Sequence, residues 1–129
     1  MVNYNLSGYE YWFIIHFSPH NCISCLHPLE HLEQLQKKIE GNGNNTFIAV
    51  SGEEGKEFWS VYNGYRLTIP VIKETDFCEL NFPLKTSTPV CYFYDATKKH
   101  LIYCDILPQE ENTFLALVNL VEKYSGIPM

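Results

Sequence analysis

A Cys-x-x-Cys, Cys22-Ile23-Ser24-Cys25, stands between an apolar run and a helical periodicity, and its placement constrains this chain more than any other feature. Upstream, Tyr11-Trp12-Phe13-Ile14-Ile15-His16-Phe17 is aromatic and β-branched, which reads as a buried strand. Downstream, Leu26, Leu29, Leu32, Leu35 and Ile39 recur at spacings of three and four, one face of a helix. The two cysteines therefore fall where a strand is expected to turn into a helix. A thiol at a helix N-terminus meets unpaired backbone N–H groups and the positive end of the macrodipole, and both favour the thiolate. In such settings a cysteine pKa falls from about 8.5 into a range of roughly 3.5–7.5. A second cysteine three positions on lies one turn along the same face and can close a disulfide or resolve a mixed one.

The rest of the chain predicts an α/β domain. Gly41-Asn42-Gly43-Asn44-Asn45 stops the helix, and Thr46-Phe47-Ile48-Ala49-Val50 follows as a short apolar strand. Strand, helix and strand in that order make a βαβ unit with parallel pairing. Residues 53–65 read as a second helix with Phe58, Val61 and Tyr62 inward. Residues 68–72 read as a strand that Pro70 relegates to an edge, and 76–85 as irregular with at most one helical turn. Val90-Cys91-Tyr92-Phe93-Tyr94 and His100-Leu101-Ile102-Tyr103-Cys104, joined by a polar turn, form a hairpin. Pro108 introduces a last helix over 109–124, with Phe114, Leu117, Val118 and Val121 as its core face. The expected order is β-α-β-α-β-β-β-α: a single domain spanning 1–129, with helices on both faces of a central mixed sheet.

Composition narrows the partners. A net charge of −6 with nine Lys plus Arg leaves no basic stripe to neutralise phosphates, so no nucleic-acid partner is expected. No apolar stretch approaches the roughly 20 residues that a membrane span needs. Five cysteines cannot all pair within the chain, and Cys78, Cys91 and Cys104 are expected to be small buried hydrophobes.

The order of elements, the Cys-x-x-Cys, the Thr88-Pro89 pair before a strand and the closing helix together resemble a thioredoxin-like fold. The segment before the final hairpin is similar to the redoxin branch, which includes thiol-disulfide reductases tethered to bacterial membranes. The resemblance covers residues 11–124 and implies a three-layer α/β/α domain that exchanges disulfides with protein thiols and needs no cofactor. Carried over, Cys22 is the attacking thiolate and Cys25 the resolving thiol. Pro89 is then the cis-proline facing them, and Thr88 offers backbone groups to a substrate chain in β-fashion. His16 takes the place of a buried carboxylate that moves a proton for the resolving cysteine. Its pKa should be pushed down by burial, leaving a neutral base at pH 7. The domain is expected to be a monomer and, by the same resemblance, to lie outside the bacterial cytoplasm as part of a longer precursor.

The departures from that family point to a specialised member. Asn21 stands where tryptophan is usual, Ile23-Ser24 replaces a Gly-Pro type of pair, and Pro28 lies three residues beyond Cys25, closer than usual. Two rival readings use the same residues. One is a thioredoxin-fold binding module without turnover. The other is a zinc or copper site built from Cys22, Cys25, His27 and His31, although a single residue separates the cysteine and histidine pairs where a zinc finger has about a dozen. Otherwise His27 and His31 are expected on a solvated helical face.

Overall fold

The structure, a computed structural model, describes residues 8–17, 28–53, 55–83 and 89–126. Its elements are β1 (Tyr11–Phe17), α1 (Leu32–Glu40), β2 (Thr46–Gly52), α2 (Lys56–Gly64), β3 (Val71–Ile72), α3 (Glu74–Glu79), β4 (Val90–Asp95), β5 (His100–Ile106) and α4 (Glu111–Tyr124). The strands form one mixed sheet in the order β3-β2-β1-β4-β5. β1 pairs with β2 in parallel and with β4 antiparallel, which puts the aromatic first strand at the centre.

Alternation along the central strands divides the core into two layers. Phe13, Ile15 and Phe17 of β1, with Ile48, Val50, Cys91 and Phe93, meet α1, Phe58 of α2 and α4. Ile14, Phe47, Ala49, Val90 and Tyr92 face the other way, onto Phe77 of α3. Helices therefore cover both faces of a mixed sheet, the predicted three-layer α/β arrangement. All four residues expected on the inner face of α4 are buried, while Val61 and Tyr62 of α2 are partly buried against the same layer as Phe58.

Differences from the sequence reading are local. The α-helix after β1 begins at Leu32, and a 3₁₀ turn occupies residues 28–31, beginning at Pro28. β3 shrinks to two residues at the sheet edge, because Pro70 has no N–H for the ladder; its carbonyl instead accepts from the Val50 amide at 3.1 Å. Thr68 is drawn away to α1, where both its amide and its hydroxyl donate to the Glu33 carboxylate. The stretch read as irregular, 76–85, overlaps α3, a helix too short and too sparsely apolar to show a periodicity, since Phe77 alone is buried in it. In the hairpin, Phe93 pairs with Tyr103 and Tyr94 with Leu101, so Ile102 is an extra residue and both Ile102 and Tyr103 turn to the first layer.

The remaining cysteines are corrected in two cases. Cys91 is fully buried as expected, but Cys78 is exposed and Cys104 half-buried. Cys78 follows Phe77 directly, and one helical step of about 100° turns it from the core to solvent. Cys104 lies on β5, the edge strand, which is covered on neither face as fully as the central strands. His31 is likewise half-buried, against the expectation of a solvated face: its ring lies 5.8 Å from that of Phe114.

Candidate functional site

β1 and β2 are parallel and end together, so their carboxyl ends form one rim of the sheet. Residues 18–27 join that rim, at Phe17, to the turn beginning at Pro28; Cys22, Cys25 and His27 fall within them and lie outside the described residues. β4 runs the opposite way and starts at the same rim, with Val90 paired to His16. The topology thus brings His16 and Pro89 to the rim from which the Cys-x-x-Cys segment departs. Thr88, and with it the bond expected to be cis, lies outside the described residues. Pro89 itself is buried, and its carbonyl accepts from the Leu107 amide at 2.7 Å.

His16 is the best-defined part of the rim. It shares the second face of the sheet with Ile14, and its ring stacks on Phe77 with centroids 4.3 Å apart and planes 14° from parallel. Nδ1 lies 3.3 Å from Oγ of Ser51, the residue directly opposite in the parallel register. Burial pushes the imidazole below its ordinary pKa, as expected for a ring that is neutral at pH 7.

On the other face, the Phe17 and Phe58 rings stack at 4.9 Å and 12°. Gly52 ends β2 against this pair. A side-chain carbon there would overlap the Phe17 carbonyl and come within 2.9 Å of the Phe58 ring, so the close approach requires glycine. A recess of about 140 Å³, lined by Pro28, Glu30, His31, Glu111 and Phe114, opens between the turn at 28–31 and the start of α4. It borders the point at which the segment carrying the cysteines rejoins the fold.

Sequence reasoning missed Ser51 and Phe77. Ser51 had a signal: it is the sixth residue of β2 as His16 is the sixth of β1, one polar residue near the end of each of two apolar strands. Phe77 had none, because its position depends on α3.

Among the described residues, no group of three or more His, Cys, Asp or Glu side chains is placed to hold a metal ion, and no helix is long and apolar enough to cross a membrane. The fully buried Cys91 has its thiol pKa raised, chiefly by desolvation, which makes it an inert core residue.

No protein-family model matches the chain, and no curated protein matches it by sequence. Solved structures match it in shape at low identity. A thiol:disulfide interchange protein from Bacteroides sp. is 12% identical, with a TM-score of 0.66 covering 92% of this chain and 75% of its own. A secreted disulfide oxidoreductase from Mycobacterium tuberculosis is 12% identical, with a TM-score of 0.57 covering 88% and 84%. The exposed lipoprotein thioredoxin of Streptococcus pneumoniae is 18% identical, with a TM-score of 0.56 covering 91% and 90%.

Proposed function

The chain has a thioredoxin-like fold, and from that premise we propose that it is a thiol-disulfide oxidoreductase acting on protein thiols. What supports this reading is the sequence position of Cys22-Ile23-Ser24-Cys25 in the segment that follows β1, together with a sheet rim at which the end of β1, with His16, lies beside the start of β4. Cys22 is assigned the attack: its thiolate displaces one sulfur of a substrate disulfide and becomes linked to the other. Cys25 then attacks Cys22 of that mixed disulfide, forming the internal bond and releasing the substrate thiolate. Thr88 and Pro89 are assigned to hold the substrate backbone, and His16, neutral at pH 7, to assist Cys25. No cofactor is needed, since the electrons move between sulfurs.

A location outside the bacterial cytoplasm fits this chemistry, and the secreted and surface-exposed likenesses support it. Trapping tests the assignment. Cys25→Ala is expected to accumulate mixed disulfides that a reductant releases. Trapping by Cys22→Ala would reverse the roles, and trapping by neither would leave a binding module. The reduction potential measured against glutathione then decides whether the domain donates or withdraws electrons.

A further inference from the structure

Ser51 is fully buried, and its hydroxyl lies 3.3 Å from Nδ1 of His16. The two face each other across the parallel ladder while Phe77 lies flat against the imidazole, so the ring is held on one face and at one nitrogen. A hydroxyl so completely withdrawn from water needs an acceptor for its proton. Among the described residues, Nδ1 of His16 is the acceptor available to it. A neutral imidazole has one accepting and one donating nitrogen. When Nδ1 accepts, the ring proton lies on Nε2.

The geometry points to Ser51 as the positioning residue for His16: its hydroxyl donates to Nδ1 and fixes the ring proton on Nε2, so that the group His16 offers is an N–H donor. The surroundings are consistent with a ring that stays neutral. β2 contributes Ser51, β4 has Val90 at the paired position and α3 contributes Phe77, none of them charged. The ionisable residues of α3 are Glu74, Asp76, Cys78 and Glu79, which are exposed or half-buried. On β4, Cys91 belongs to the opposite layer.

The consequence rests on the thiol-disulfide reading above. An N–H donor stabilises the charged form of a sulfur beside it. His16 would therefore assist the second step by favouring the Cys25 thiolate, and not by holding the thiol proton itself. The Cys25 proton passes to water, the thiolate attacks the Cys22 sulfur, the Cys22–substrate bond breaks as the Cys22–Cys25 bond forms, and the substrate leaves as a thiolate that water can reprotonate.

Nitrogen-15 spectra of the imidazole in the unmodified full chain at neutral pH test the assignment. The expected result is one tautomer, protonated on Nε2, with Nδ1 accepting a hydrogen bond. A ring protonated on Nδ1, or the tautomer mixture of a free imidazole, overturns it. Ser51→Ala is expected to relax the tautomer balance and to slow release of the mixed disulfide about tenfold, the upper end for one hydrogen bond, with attack by Cys22 unchanged. An unchanged ring spectrum in Ser51→Ala overturns the role of Ser51 whatever the activity. Should that variant not fold, Ser51→Thr, which keeps the hydroxyl, is expected to show the parent spectrum. A parent chain with the Nε2–H ring but no disulfide exchange removes the redox reading and leaves the pairing in place.

Discussion

The hydroxyls of Thr46 and Ser125 lie 2.6 Å apart in the interior and fasten the first residue of β2 to the end of α4. The Ser125 proton goes to the Val121 carbonyl at 2.7 Å, so the proton between the two hydroxyls comes from Thr46. A closing helix that packs along the first layer is thereby registered against the sheet at its far end. Nearby, Lys38 of α1 reaches Glu122 of α4 at 3.2 Å, a pair whose carboxylate is largely covered and whose ammonium is not.

Removing either hydroxyl should therefore cost stability, and removing both should cost less than the sum. Thr46→Val and Ser125→Ala are each expected to destabilise by about 1–2 kcal/mol, through one lost bond and one partner left poorly satisfied. Thr46 retains a weaker contact with the Asn45 carboxamide at 3.2 Å, which should soften the Ser125→Ala change. A double-mutant cycle in urea checks the coupling, expected at about 0.5 kcal/mol or more. Strict additivity would show that the two hydroxyls do not bond each other.

The three cysteines outside the motif should separate by reactivity. Cys78 is exposed, Cys104 half-buried, and Cys91 fully buried with its thiol pushed away from ionisation. Alkylation of the folded, reduced chain, followed by peptide mapping, should modify Cys78 first and Cys91 only after denaturant is added. Early labelling of Cys91 would mean that β4 opens readily.

What the sequence revealed and what it concealed follow from range. The stripe Phe114, Leu117, Val118 and Val121 repeats within one helix and needs nothing else to be recognised; all four are buried. Pro70 marked its strand as an edge because a missing N–H is a local property, and β3 is at the edge. The exposure of Cys78 turns on one residue of helical phase in a six-residue helix with a single buried side chain, a signal too short to read. The pairing of His16 with Ser51 spans 35 residues and is set by the register between two parallel strands, which no local pattern determines. Cys22 and Cys25 show the opposite balance: the redox expectation comes from their spacing alone, and they lie outside the described residues.

The stability of the folded chain should depend on pH through His16. Its folded-state pKa lies below the ordinary value of 6.5 because burial opposes the charge. The unfolded chain therefore takes up this proton more readily than the folded one. Stability is complete above the unfolded pKa and is lost as pH falls from there towards the folded value, below which the loss levels off. The urea midpoint of the parent should decline across that window more than that of His16→Gln, which has no group to titrate there. Parallel curves for the two proteins would show that the ring is as well hydrated in the folded chain as in the unfolded one.

The last test concerns which chemical step depends on His16. The ring is fixed by Ser51 and Phe77 at the end of the strand that leads into the cysteines, so its loss should affect proton and charge control more than substrate docking. His16→Ala is expected to slow release of the mixed disulfide by about 10²-fold, the lower end of what removing one preorganised hydrogen-bond donor to a developing charge costs. Attack by Cys22 should keep its rate, because under the proposed roles the ring acts on Cys25. Stopped-flow measurement of the two phases, using a substrate whose disulfide reports each step, separates them. Equal rates for both steps in the variant and the parent would reduce His16 to a packing residue between Phe77 and Ser51.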